Sequence, residues 1–214
     1  FPSASKPVTG SRSPAEQKRF GWMQLARVAF ACLFLFTNLG YPLIDRDETR
    51  YAEIPREMLI TGNWVLPTLN FETYYDKPPL LYWSVACSYV VFGVHEWSAR
   101  LVPALSSLGT LLLVLWFANR HFGRKMGLLS GGVLLLTVGF AFTSRYLLLD
   151  GLLTVLTTAS LLTALEAVNR GAEHGRIKWS WWIAASIFCG LGFLTKGPLS
   201  IVLLLPPILA FSWL

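Results

Sequence analysis

Charge is scarce in this sequence. Only 14% of its 214 residues are Asp, Glu, Lys or Arg, against 54% hydrophobic, and nearly charge-free blocks occupy 28–44, 79–94, 101–119, 126–144, 151–165, 179–195 and 198–214. Soluble domains carry about a quarter charged residues, so this shortage excludes an ordinary soluble domain. Blocks of this length, wound as helix, reach ~24–30 Å, enough or nearly enough to cross the hydrocarbon core of a bilayer. Cysteine is equally scarce. Cys32, Cys87 and Cys189 each sit inside an apolar block and are odd in number, which argues against a disulfide framework or a thiolate metal set and for small core residues. His95, His121 and His174 are scattered without the H-E-x-x-H spacing, excluding metalloprotease and zinc-deaminase chemistry. A nucleotide-cradling glycine loop is missing too, because "GLLSG" at 127–131 has the small-xxx-small spacing of helix packing. No small-x-small cleavage site follows the first apolar block, so it reads as a retained helix. The sequence starts without Met and ends inside an apolar run, from which we expect a piece of a longer protein.

The charges that are present are unevenly placed. Lys6, Arg12, Lys18, Arg19 and Arg27, "RHFGRK" at 120–125 and "NRGAEHGRIK" at 169–178 form three basic clusters. Such clusters mark cytoplasmic loops, and residues 1–21 read as a cytoplasmic tail. This placement puts 11 basic and 3 acidic residues inside, against 7 basic and 9 acidic outside. The net charge of +6 therefore reflects topology, and no nucleic-acid partner is expected. Residues 45–100 then form a first outer loop that begins and ends on one side. By this parity the block 79–94 inside it does not cross once but lies in the membrane surface or re-enters, with Tyr82, Trp83 and Tyr89 as interfacial anchors; an ordinary span is the alternative. The same parity puts Arg145, Asp150 and Lys196 outside. Within the loop, "ETRYAEIPREMLITG" reads as a short amphipathic helix ending at Gly62, and "NWVLPTLNFETYYDKPP" as extended chain with turns.

An ionised group near the bilayer centre costs about 2.5–3.5 kcal/mol on insertion scales, so the seven acids from Asp45 to Asp76 must face water or partners. In "PLIDRDETRYAE" at 42–53, Asp45 as N-cap with Glu48 three residues on makes a variant capping box. That leaves Asp47, Arg50 and Arg56 as a charged surplus, which points to a ligand. In "YYDKPPLLYW", Asp76 and Lys77 precede two prolines that fix the backbone; Lys77 is either a phosphate contact or a snorkelling lysine beside its acid. Arg145 and Asp150 in "RYLLLD" are five apart, off a shared helix face. Lys196 in "LTKGP" lies in a break that Gly197 and Pro198 turn. Together these groups point to chemistry on an anionic, lipid-borne substrate at the outer membrane face. The rival class is a transporter or flippase that binds such a lipid without chemistry, although carriers usually hold their charges at mid-membrane.

"IDRDETRYAEIPREML", "NWVLPTLNFETYYDKPPLLYW", "EWSARLVPAL", "RYLLLDGLL" and "LTKGP", in this order, resemble the N-terminal membrane half of bacterial lipid A aminoarabinose transferases and related glycosyltransferases of the protein mannosyltransferase superfamily. The resemblance covers about residues 22–214. It implies an all-α polytopic membrane protein, a GT-C-type transmembrane helix bundle whose long first periplasmic loop carries juxtamembrane helices. It also implies that further spans and a C-terminal periplasmic domain lie outside this sequence. The implied activity moves a sugar from a polyprenyl-phosphate donor to an envelope acceptor, the lipid A phosphate or a related glycolipid; a protein O-mannosyltransferase is the alternative. The implied location is the bacterial inner membrane, with the site on the periplasmic face. By the resemblance, Asp47 and Asp150 are the catalytic aspartates, Lys77 lies next to the donor phosphate, and Arg50, Tyr51 and Lys196 line the same cavity. Arg145 joins these as a substrate-binding candidate, and Asp45 and Glu48 remain helix-start or accessory residues. No cofactor is required; a divalent metal at Asp76, where relatives often carry Glu, is the one suggestion of this kind, weakened by the shorter side chain.

Overall fold

The computed structural model describes residues 29–31, 33–175 and 177–213. The tail at 1–21, with the basic residues of the first cluster, Cys32 and Arg176, lies outside them. The chain divides between Phe34 and Leu35. Residues 29–31 and 33–34 of the first unit are helical, and Leu35–Leu214 is a second compact unit. Its elements are α1 (Arg46–Thr61), β1 (Thr68–Leu69), β2 (Glu72–Thr73), α2 (Leu80–Phe92), α3 (Glu96–His121), α4 (Arg124–Leu136), α5 (Val138–Thr143), α6 (Leu149–His174), α7 (Trp179–Lys196) and α8 (Leu199–Trp213). This is the all-α bundle expected.

Among the described residues, two helices are long and apolar enough to cross a membrane, α3 and the Leu149–Gly171 part of α6, while Leu80–Phe92 and Leu199–Phe211 are shorter apolar helices. The 13 residues of α2 rise only ~20 Å, short of the ~30 Å hydrocarbon core, which fits the parity argument. Two of its proposed anchors are placed differently. Tyr82 and Tyr89 are buried because the inner face of α2 packs on α1. The Tyr82 ring lies 6.2 Å from that of Tyr51, and Tyr89 Oη donates to the Ala52 carbonyl at 3.2 Å. Trp83 uses its indole N–H on the Trp64 carbonyl at 2.8 Å.

The block 126–144 is not one span. Thr137 adopts an extended conformation (ψ 118°) between α4 and α5, and its hydroxyl bonds back to the Val133 carbonyl at 2.8 Å. Such local side-chain bonding competes with helix continuation. α3 starts at Glu96, five residues before its apolar block, because Ser98 Oγ accepts the His95 N–H at 3.1 Å and organises the first turn.

Buried carboxylates clamp α3 to α6 at both ends. At one end Glu166 Oε1 meets His121 Nε2 at 2.9 Å and Arg120 Nε at 3.2 Å, and its Oε2 meets Arg170 Nε at 3.1 Å. At the other end Glu48 performs the same service, as described below. Midway between them Gly109 of α3 lies close to α6: a Cβ there would be 3.1 Å from Val155 Cγ2. Ser160 Oγ donates to the Ala185 carbonyl at 2.8 Å, linking α6 to α7.

α1 forms as expected and ends at Gly62, whose φ of 68° is the left-handed conformation that glycine supplies at a helix end. Tyr51, Ile54 and Met58, spaced three and four apart on one face, join Tyr82, Val85, Tyr89, Leu147 and Leu149 in the core. The following stretch is extended with turns, as read, and contains one hairpin. Thr68 pairs with Thr73 and Leu69 with Glu72, leaving Asn70 (φ 56°) and Phe71 (φ 61°) as its two-residue turn. Positive φ at both positions is the type I′ arrangement that favours Asn-Gly. Phe in the glycine position costs roughly 1–2 kcal/mol.

Candidate active site

The site is built from the start of α1. Asp45 occupies the N-cap position in its backbone (φ −88°, ψ 145°), but its side chain makes no capping bond. The capping box is therefore not formed, because Glu48 turns inward. Glu48 and Arg100 are both fully buried and paired: Arg100 Nε reaches Glu48 Oε1 at 3.0 Å and Nη2 reaches Oε2 at 3.0 Å. The other guanidinium N–H groups go to the carbonyls of Leu39 (2.9 Å), Tyr41 and Pro42 (3.2 Å), so all five donors of the arginine are used. The Tyr41 ring lies 3.6 Å beneath the guanidinium carbon. Glu48 Oε1 also accepts the Leu147 N–H at 2.9 Å. One ion pair thus ties together the 39–42 segment, α1, α3 and the turn that leads to Asp150.

With Glu48 committed to the interior, its neighbour Asp47 stays at the surface, 48% exposed and 3.6 Å from Arg50 Nη1. From there a chain of polar groups crosses to the other candidate residues. Arg50 Nη1 donates to Tyr74 Oη at 3.3 Å, Tyr74 Oη donates to Asp76 Oδ2 at 3.0 Å, and Asp76 Oδ1 lies 3.5 Å from Lys77 Nζ. The Tyr74 hydrogen bond, assisted by the Lys77 charge, holds the Asp76 carboxyl below its usual range, so it stays ionised at neutral pH. Burial and the nearby Asp47 charge push the Tyr51 phenol up to about 12, keeping it neutral. Arg50, Tyr74 and Asp76 also line an open cavity of about 890 Å³, with Arg46, Glu53 and Arg56 on its α1 wall.

A second group lies at the start of α6. Lys196, the last residue of α7, places Nζ 2.6 Å from Asp150 Oδ1. The five-residue separation of Arg145 and Asp150 spans the turn between α5 and α6, whose Arg145 carbonyl accepts from Tyr41 Oη at 3.2 Å. This group joins the first through the core, where Leu147 and Leu149 pack with Tyr51 and Tyr82. Asp150 and Lys196 are 46% and 31% exposed, and pairs in water contribute about 0–1 kcal/mol. Lys196→Met should therefore leave the thermal midpoint of the full-length protein in detergent nearly unchanged, so that any loss of turnover reports on the site and not on folding.

Asp76 has its two oxygens engaged by Tyr74 and Lys77, and among the described residues no three His, Cys, Asp or Glu side chains converge. Arg100 and Tyr74 were not singled out from the sequence. Arg100 left one signal, a cation immediately before the apolar block 101–119; Tyr74 left none beyond its neighbours Asp76 and Lys77.

A helix bundle with a polar network at the start of α1 has relatives of known architecture. The chain belongs to the dolichyl-phosphate-mannose-protein mannosyltransferase family, whose sequence profile matches residues 19–214. It is 33% identical over 174 residues to the undecaprenyl phosphate-alpha-4-amino-4-deoxy-L-arabinose arabinosyl transferase of Shewanella sediminis, covering 81% of this chain and 32% of that protein. It is 35% identical over 190 residues to one of two such transferases of Proteus mirabilis, covering 83% and 33%. Among solved structures, ArnT from Cupriavidus metallidurans bound to undecaprenyl phosphate superposes with a TM-score of 0.76 at 32% identity, over 85% of this chain and 34% of that one. Its apo state gives the same score at 30% identity, over 92% and 36%. The chain thus spans about a third of the length of these relatives, and its bundle is of the GT-C type expected.

Proposed function

We propose that this chain is the N-terminal part of a transferase that moves 4-amino-4-deoxy-L-arabinose from undecaprenyl phosphate to the lipid A phosphate. We place it in the bacterial inner membrane with the site on the periplasmic face. The observation that carries this reading is the Asp47–Arg50–Tyr74–Asp76–Lys77 network, in a chain that superposes on a transferase crystallised with undecaprenyl phosphate.

In this scheme an acceptor oxygen attacks the anomeric carbon of the sugar, and the bond from that carbon to the polyprenyl phosphate breaks, leaving the electron pair on the phosphate. Lys77, with Arg50 behind it, stabilises that developing charge. Asp47 orients the acceptor and takes its proton where the acceptor is a hydroxyl. Asp150, paired with Lys196, positions or helps Asp47. An ionised phosphate acceptor needs little deprotonation, so Asp47→Asn should harm a hydroxyl acceptor more than lipid A phosphate. Positioned proton transfer contributes about 10²–10⁴-fold, and we expect turnover by Asp47→Asn with lipid A to fall towards the lower end of that range.

The test follows labelled aminoarabinose from the lipid-linked donor with the full-length protein in membranes. Label in lipid A supports the reading. Label in protein supports the second reading, a protein O-glycosyltransferase, which the family's mannosyltransferase members favour. Transport of the donor without any transfer would sink both.

A further inference from the structure

Glu57 belongs to none of the groups above, yet it is a carboxylate buried to 1% exposure in the middle of α1. An ionised group is kept there only where its oxygens are bonded, and the bonds show what it holds. Glu57 Oε2 accepts Thr68 Oγ1 at 2.6 Å and the Phe71 N–H at 3.0 Å. Both donors belong to the hairpin, one on its outgoing strand and the other at the turn. Phe71 is the residue forced to φ 61°, although its side chain is 65% exposed and has no packing that would keep it so. A bulky residue persists in this conformation only when its surroundings over-determine it, and beside the strand pairing the bond from Glu57 to its N–H is the constraint that acts on Phe71 itself. The return strand leads directly to the site: the Tyr74 N–H donates to the Pro67 carbonyl at 2.8 Å, closing the hairpin, and Tyr74, Asp76 and Lys77 follow.

We infer that Glu57 is a positioning residue: its buried carboxylate locks the Asn70–Phe71 turn in the left-handed conformation and so sets where Tyr74, Asp76 and Lys77 stand against Arg50. The link to the donor rests on the reading of Lys77 as the donor-phosphate contact. Glu57 does not line the cavity, and its carboxylate bonds the hairpin at Thr68 and Phe71, not Arg50, Tyr74, Asp76 or Lys77. Its effect is exerted through the turn.

The test uses the full-length enzyme with undecaprenyl phosphate-aminoarabinose as the varied substrate and saturating lipid A. Displacing a site residue by about 1 Å can cost as much as a hundredfold, so Glu57→Ala should raise the donor KM and lower kcat, together costing about tenfold or more in kcat/KM, because Lys77 serves both the bound phosphate and its developing charge. Glu57→Gln, which keeps an acceptor oxygen, should lie between. Glycine adopts positive φ without steric cost, so adding Phe71→Gly to Glu57→Ala should bring the donor KM back towards the wild-type value. Loss of helix or core stability would not be repaired by a change at the hairpin tip.

Hydrogen exchange over 68–77 supplies a readout independent of catalysis, with protection lost in Glu57→Ala and regained in part in the double variant. A donor KM and exchange pattern unchanged in Glu57→Ala would overturn the inference, as would a rise that Phe71→Gly leaves in place. Where Glu57→Ala does not yield folded protein, an unchanged donor KM in Glu57→Gln decides against it. If Lys77→Ala itself leaves the donor KM and turnover unaltered, the reading of the donor site fails; the exchange data still judge the turn.

Discussion

Arg100→Met is expected to leave little folded protein. It strips Glu48 of its buried partner and orphans three backbone carbonyls, those of Leu39, Tyr41 and Pro42. Removing one member of a buried ion pair costs about 3–5 kcal/mol, and each buried acceptor left without a donor adds up to about 1–3 kcal/mol. Set against a typical total stability of about 5–15 kcal/mol, that is enough to abolish folding or to lower the thermal midpoint sharply. Glu48→Gln should be milder, since an amide oxygen can still accept the Leu147 N–H and one guanidinium N–H. The double variant Glu48→Met/Arg100→Met removes both charges at once and should be less damaged than the sum of the single changes, because neither leaves a lone buried charge. Thermal unfolding in detergent of the wild type, Glu48→Met, Arg100→Met and the double variant reads the cycle. A wild-type midpoint in Arg100→Met would mean that the pair contributes nothing to the clamp.

Lys77→Ala carries the largest expected effect on turnover. A unit charge about 4 Å from a phosphate is worth roughly 4 kcal/mol at an effective dielectric of 20, or about a thousandfold in rate if it acts mainly in the transition state. Lys77 is 32% exposed, so solvent screening sets that figure as the upper end. Lys77→Arg keeps the charge and should retain more activity, whereas Lys77→Ala should be folded and nearly inactive. Turnover of lipid-linked aminoarabinose within about threefold of wild type would remove Lys77 from the donor site, whatever the fate of Asp47.

The contrast between these two cations shows what a sequence can and cannot disclose. Lys77 was legible because it stands beside an acid, two prolines and aromatics, all within a few residues. Arg100 was not, because its partner is 52 residues away and nothing local announces it. Glu48 was misassigned for the same reason: D-x-x-E reads identically whether the glutamate folds back on the helix start or turns into the core. Tyr82 and Tyr89 look like interfacial anchors in an apolar stretch, and only the packing of α2 on α1 buries them. Asp150 and Lys196, 46 residues apart, stood out separately as charges between apolar blocks; their contact requires α6 and α7 to be side by side. The hairpin turn was hidden because Asn-Phe is not a type I′ signature, and Glu57 supplies from α1 what the turn residues themselves lack.

Local chemistry by itself determined that this chain is a bundle of apolar helices, that an amphipathic helix ends at Gly62, and that charge collects around it. Those conclusions rest on periodicity, length and the cost of charge in lipid, which act over neighbouring residues. The tertiary structure decided which acids of residues 45–76 are framework and which stay exposed. Glu48 and Glu57 are drawn inward by partners that folding brings to them, and Asp47 and Asp76 are left outside at 48% and 55% exposure. A buried carboxylate is stable only where its donors converge, and that convergence is set by the packing of α1, α2, α3 and the turn before α6.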